Sequence, residues 1–92
     1  MKESIIEKVV VQHARKVGMI VHKMEGEAGM PDNVLLYKGV ALFIEFKATG
    51  EVPRKLQLHK HKLLREQGFT VYVCDGIEEG IKIINKVVDI TN

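Results

Sequence analysis

The chain is poor in several features that would assign it to a function class. It has one cysteine, Cys74. No internal disulfide framework and no cysteine-built metal site can form from it. It has no apolar run near the ~20 residues that cross a bilayer. Its first ten residues, MKESIIEKVV, are charged within the first turns and contain no apolar core of a secretory leader. No internal repeat or low-complexity linker is present. Charge of one sign does not dominate either: 14 basic against 12 acidic residues give a formal net charge of +2. The total balance therefore calls for no polyanionic partner. The expectation is a reduced, soluble, cytoplasmic protein with no membrane association.

What is present is globular. Of 92 residues, 46% are hydrophobic and 28% charged, which is enough apolar material to fold and too much for disorder. One small domain over 1–92 is expected, with a modest core that a partner chain could extend. Residues 4–17 read as an amphipathic helix, with Ile5, Ile6, Val9, Val10, Ala14 and Val17 at helical spacing and Gly18 as its stop. "MIVHKME" alternates as a first strand, and "GEAGMPDN" is a loop. "VLLY" and "VALFIEFK" are strands joined by a tight Lys38-Gly39 hairpin. Residues 53–67 read as a helix with Pro53 at its first position and Gly68 closing it. "FTVYVC" is a fourth strand, where Cys74 packs rather than reacts. Asp75 with Glu78 fits a capping box for a last helix, striped by Ile77, Ile81, Ile84 and Val88. The order α-β-β-β-α-β-α predicts an α/β fold, a mixed sheet flanked by helices, with the third strand central.

The third strand carries an anomaly. "FIEFK" places Glu45 and Lys47 two residues apart in a run that otherwise reads as buried. On a strand both face the same way, about 6.6 Å apart. A hairpin turning at Lys38-Gly39 sets Asp32 directly opposite Glu45. Their Cβ atoms would then lie about 4.5–5.5 Å apart. Like charges that close are tolerated when a proton or a cation sits between them. Hard oxygen donors with room for water suit Mg²⁺. A lysine beside them can orient an attacking water and stabilise charge on a phosphate. Taken singly, E-x-K is usually a surface ion pair and Pro-Asp a common turn.

Two more groups stand near this pair in the layout. Glu7 lies on the first helix, where Ser4-x-x-Glu7 also fits a capping box. Gln57 lies on the fifth element, with His61 one turn later on the same face. Between Val52 and Arg65 the chain carries five basic residues (Arg54, Lys55, Lys60, Lys62, Arg65) and two histidines, with no acid. That is either a solvated helix face or a track for a phosphate backbone.

In combination these motifs resemble the PD-(D/E)xK nuclease superfamily. Pro31-Asp32 is followed after twelve residues by Glu45-Phe46-Lys47. The nearer likeness is to the VRR-Nuc family. Its pattern is a glutamate-bearing helix, G-x-P-D, a strand ending E-x-K, a glutamine on the next helix, then a glycine and a strand. This chain supplies Glu7, "GMPD", "FIEFKATG", Gln57, "LLREQGF" and "VYVC" in that order. The resemblance implies a restriction-endonuclease-like core. It implies that Asp32, Glu45 and the backbone carbonyl of Phe46 hold Mg²⁺, with Mn²⁺ able to substitute. Glu7 would complete the acidic cluster directly or through water. Lys47 would position the water, and Gln57 would orient Lys47 or the scissile phosphate. The charge pattern lets Arg54, Lys55, Lys60, Lys62 and Arg65 line the path of a DNA backbone, and His61 is either a further phosphate contact or a packed or solvated side chain.

The implied activity is a Mg²⁺-dependent endonuclease leaving 5′-phosphate ends. Backbone contacts of this kind position DNA without reading its sequence, so a structure-specific enzyme is expected. Its substrate would be branched DNA, as for Holliday-junction-resolving homodimers, whose two-fold symmetry matches paired nicks. A phage setting would place it in the host cytoplasm. With no appended targeting domain, substrate choice is expected to come from this domain or its dimer. Rival readings are a flap or nicked-duplex repair nuclease, a catalytically silent nuclease-fold DNA-binding protein, and a small α/β interaction module.

Overall fold

The computed structural model describes all residues, 1–92. Its elements are α1 (Glu3–Lys16), β1 (Ile20–Lys23), β2 (Asn33–Tyr37), β3 (Val40–Phe46), α2 (Lys55–Glu66), β4 (Thr70–Cys74) and α3 (Ile77–Thr91). They form the expected α/β order. The sheet runs β1-β2-β3-β4. The first three strands are an antiparallel meander, and β4 returns through α2 to lie parallel to β3. Both β2 and β3 are therefore interior strands.

The hairpin sets the register. Lys38 and Gly39 both adopt positive φ, 46° and 82°, as a two-residue turn of this hand requires. Tyr37 then pairs Val40, and the ladder runs back to Asn33 opposite Ile44. Side chains alternate faces along each strand. Leu35, Tyr37, Leu42, Ile44 and Phe46 join Ile6, Val10 and Ala14 of α1 and Ile83 and Ile84 of α3 in the main core. The other parity, which includes Phe43, Glu45 and Val71, faces α2. There Phe43 meets Phe69 edge-to-face at 5.7 Å. Burial on both faces explains why β3 reads as an almost continuous apolar run.

Several local expectations shift. Ser4 and Glu7 form no capping box, because α1 begins at Glu3 with Lys2 as its N-cap. Helix α2 begins at Lys55, so Pro53 lies outside it, before the N-cap Arg54. Asp75 does not cap α3, whose N-cap is Gly76. Its carboxylate instead accepts from Gly50 N–H at 3.1 Å. The buried stripe of α3 runs through Gly80, Ile83 and Ile84 rather than Ile81. Gly80 is there for space: a Cβ would meet Val10 and lie 3.1 Å from Cys74 Sγ. The absence of a side chain lets α1, α3 and β4 close on one another.

Candidate active site

One end of the sheet gathers the chemistry. It is formed by the C-terminal ends of β1 and β3, the start of β2, and the N-terminal turns of α1 and α2. Asp32 immediately precedes β2, where extending the ladder puts it opposite Glu45. Its backbone carbonyl accepts from Met24 N–H at 2.8 Å, closing the 24–32 loop. Its Oδ2 accepts from Phe46 N–H at 2.7 Å. The backbone of β3 thus fixes the carboxylate beside the strand.

Glu45 is the most constrained acid in the molecule, 2% exposed. Gln57 Nε2 donates to its Oε2 at 3.3 Å. His61 Nε2 lies 3.4 Å from its Oε1. The Asp32 carboxyl stands next to it across the ladder. Burial, and then Asp32, push the Glu45 carboxyl up from 4.5 to about 8, while the Lys47 charge opposes them. The fold has thus brought together two acids that resist sharing negative charge. Lys47 is 5% exposed and its backbone N–H is held by Cys74 carbonyl at 2.9 Å.

Helix α1 brings two acids to this end, Glu7 and Glu3, in different surroundings. Glu7 takes Lys23 Nζ at 3.0 and 3.1 Å and Asn33 Nδ2 at 2.7 Å. That contact, chiefly the hydrogen bond to Glu7, pushes the Lys23 ammonium up. Asn33 has the opposite side-chain parity from Asp32, so Glu7 is engaged on the α1 face of the sheet. Glu3, one turn earlier, is the acid that feels Asp32 and Lys47. Burial first, then the Asp32 charge, raise its carboxyl. Sequence reasoning missed Glu3. The signal was there in the i, i+4 spacing with Glu7, which places both on one face of α1.

Helix α2 supplies support as well as charge. Gln57 Oε1 accepts from Arg54 N–H at 2.8 Å, capping the helix. Its amide nitrogen donates to Glu45 rather than to Lys47, one of the two targets expected of it. His61 is corrected outright as a DNA contact: it is fully buried, and its pKa is lowered by burial, then by Arg65 and Lys47. Its Nδ1 has no partner. With Nε2–H donating to Glu45, Nδ1 carries only a lone pair, the cheaper group to leave unmatched. Arg65 Nη2 donates to Val71 carbonyl at 2.7 Å, tying α2 to β4. Lys60 lies 3.6 Å from Glu27. Arg54, Lys55 and Lys62 are exposed.

Gly29 explains the glycine of "GMPD". Its φ is +84°, and a Cβ would lie 2.7 Å from Leu56 Cγ and 3.0 Å from Leu56 carbonyl. The loop can therefore lie directly on α2. A recess of about 160 Å³ opens there, lined by Ala28, Gly29, Arg54, Leu56 and Gln57. It adjoins the carboxylates through Gln57.

No group of three or more His, Cys, Asp or Glu side chains is arranged as a ready metal cage. The groups that could hold a hard cation are Asp32 and Glu45. Their oxygen-only donor set and mutual repulsion fit a divalent ion of the Mg²⁺ type.

A sheet end carrying Asp32, Glu45 and Lys47 between two helices defines a nuclease-fold α/β protein. No family model matches the chain. It is 41% identical over 78 residues to "Putative nuclease p44" of Acyrthosiphon pisum secondary endosymbiont phage 1, covering 82% of this chain and 84% of that one. A solved structure described as a VRR_NUC domain superposes with a TM-score of 0.80 at 27% identity. That match covers 97% of this chain and 96% of the other. The chain belongs to the VRR-Nuc nuclease family.

Proposed function

We propose that this protein is a Mg²⁺-dependent, structure-specific DNA endonuclease that cuts branched DNA as a Holliday-junction-resolving homodimer. The observation that carries the reading is the pair of half-buried Asp32 and buried Glu45 on the strand that also carries buried Lys47, with Glu45 braced from α2. A merely structural sheet has no use for two repelling carboxylates at its end, one of them pushed up to about 8. Asp32 and Glu45, with the Phe46 carbonyl, would hold Mg²⁺ or Mn²⁺, and Glu3 rather than Glu7 would be the acid that α1 adds to them. The cation supplies Lewis-acid polarisation of the phosphoryl group and lowers the pKa of the attacking water.

The chain's own groups do the rest. Phe46 N–H fixes the orientation of Asp32. Gln57 and His61 fix both oxygens of Glu45, so neither carboxylate must reorganise during the reaction. The Lys47 ammonium orients the water and offsets charge growing on the phosphorus oxygens. Water attacks in line, and the bond to the 3′-oxygen breaks, leaving a 5′-phosphate. Arg54 and Lys55, at the end of α2 nearest Glu45, hold backbone phosphates of the incoming strand.

The homodimer draws on exposed apolar surface. Ile20, Leu36 and Val40 are 67%, 40% and 40% exposed and line one shallow, mostly apolar recess, the kind of contiguous surface a second copy would cover. The enzyme works in the cytoplasm, that of the host cell if the chain is phage-encoded. The test is a panel of labelled four-way, flap, nicked and linear DNA with Mg²⁺, Mn²⁺ or EDTA. Metal-dependent cutting strongest on four-way junctions is expected, with a dimer by light scattering at micromolar concentration. Preference for flaps or nicks would make it a repair nuclease. Binding without cutting in any metal would make it a silent nuclease-fold protein.

A further inference from the structure

We propose that the groove between α1 and β1 is a second binding site for the DNA backbone, across the carboxylate pair from the N-terminus of α2. The inference rests on the nuclease reading and adds a surface to it. The groove is about 240 Å³ and is lined by Ser4, Glu7, Lys8, Arg15, Lys23 and Asn33, with Val11 as its apolar floor. Positions 4, 8, 11 and 15 fall on one helical stripe of α1. Lys23 closes the groove from β1.

Its charge is not balanced. Three cations face one acid, and that acid, Glu7, is already engaged by Lys23 and Asn33. Lys8 has no ion-pair partner. Arg15 makes only a 3.4 Å bond to Val21 carbonyl. Lys23 remains 57% exposed despite its pairing. The surplus is positive, next to an acidic centre that by itself repels phosphate.

The groove lies at the same end of the sheet as the carboxylates, on the opposite face. Asn33 follows Asp32, and Glu7 is one turn from Glu3, which feels Asp32 and Lys47. Helix α1 packs on one face of the sheet and α2 on the other, so basic groups flank the carboxylates on both sides. A mononucleotide could engage one side only. A continuous polynucleotide backbone engages both, so the ligand class is a DNA strand extending on either side of the scissile phosphate. The expression of that geometry is a salt dependence larger than the α2 cations alone produce, since each neutralised phosphate adds about 0.9 to the slope of log K against log salt.

The experiment measures binding of a labelled four-way junction by the Lys47→Ala protein from about 50 to 200 mM salt. The comparison is the same protein carrying Lys8→Gln and Arg15→Gln. The double change should weaken binding at least tenfold at the low-salt end and reduce the slope by about 2. The charge-keeping pair Lys8→Arg and Arg15→Lys should restore both. Lys86→Gln, on the exposed side of α3, should change neither. An unchanged slope and affinity in the Gln pair, with the parent still binding, overturns the groove and leaves the nuclease reading intact. A parent that binds no DNA overturns both.

Discussion

Glu45 has the least freedom of any residue at the site, and its pH behaviour follows from that. Burial and Asp32 raise its carboxyl from 4.5 to about 8. The folded state therefore keeps a proton that the unfolded chain releases. Stability tied to this proton is complete below about pH 4.5 and is lost as pH rises to about 8. His61 has the opposite sign, since burial, Arg65 and Lys47 lower it, and it costs stability as pH falls. Comparing metal-free wild type with Glu45→Gln isolates the first effect. The variant's melting temperature should gain on wild type between about pH 5 and pH 8 and then level off. A difference that stays flat with pH would mean Glu45 is not held neutral.

Glu3 and Glu7 separate at the same scale. Glu3→Gln should raise the Mg²⁺ concentration for half-maximal cleavage several-fold. Glu7→Gln should change it less than about twofold, and should cost about 1 kcal/mol of stability by weakening the contacts to Lys23 and Asn33. The reverse ranking, measured by Mg²⁺ titration of cleavage, would return the role to Glu7.

At the scale of elements, the 24–32 loop lies directly on α2, the helix that brings Gln57 and His61 to Glu45. Gly29 controls that contact. Gly29→Ala meets a positive φ and a Cβ within 3.0 Å of the Leu56 backbone. It should cost about 1–3 kcal/mol, or roughly 4–8 °C per kcal/mol in a domain this small. Gly26 shares a positive φ of +101° but has nothing within 4 Å of an added Cβ. Gly26→Ala should cost only the backbone term and leave cleavage intact. Equal melting temperatures for the two variants would show that the loop does not lie tightly on α2.

Elements were also where the sequence could be read best. Periodicity and turn residues predicted all seven, and the Lys38-Gly39 turn predicted the register that sets Asp32 opposite Glu45. Two-residue spacing on a strand leaves little choice of face. Helix starts were harder to read. Ser-x-x-Glu and Asp-x-x-Glu patterns name possible caps, but Lys23, Asn33 and Gly50 outbid the helix termini for those side chains. Those competitors come from distant parts of the chain and appear only once the fold is closed. For His61 the fold decides between the two readings, against a DNA contact and for a packed side chain, for a similar reason. A histidine in a basic run looks solvated until the buried carboxylate opposite it is known.

On the scale of the whole molecule, the candidate site occupies one end of a four-stranded sheet, with helices on both faces. The opposite parts serve mainly to hold that end together: α1 and α3 pack through Val10 and Gly80, and His13 bridges to Asn85 at 2.8 Å. No helix is long and apolar enough to cross a membrane. The exposed apolar surface around Ile20, Leu36 and Val40 is where the proposed homodimer would form. The central claim is that Asp32, Glu45 and Lys47 act together on a phosphodiester. The most direct test is single-turnover cleavage of a labelled four-way junction in Mg²⁺ by wild type and by Lys47→Ala, with binding measured in parallel. The account predicts a loss of at least ~100-fold in rate with binding nearly unchanged. Full cleavage by Lys47→Ala, or cleavage by wild type that survives EDTA, would contradict it.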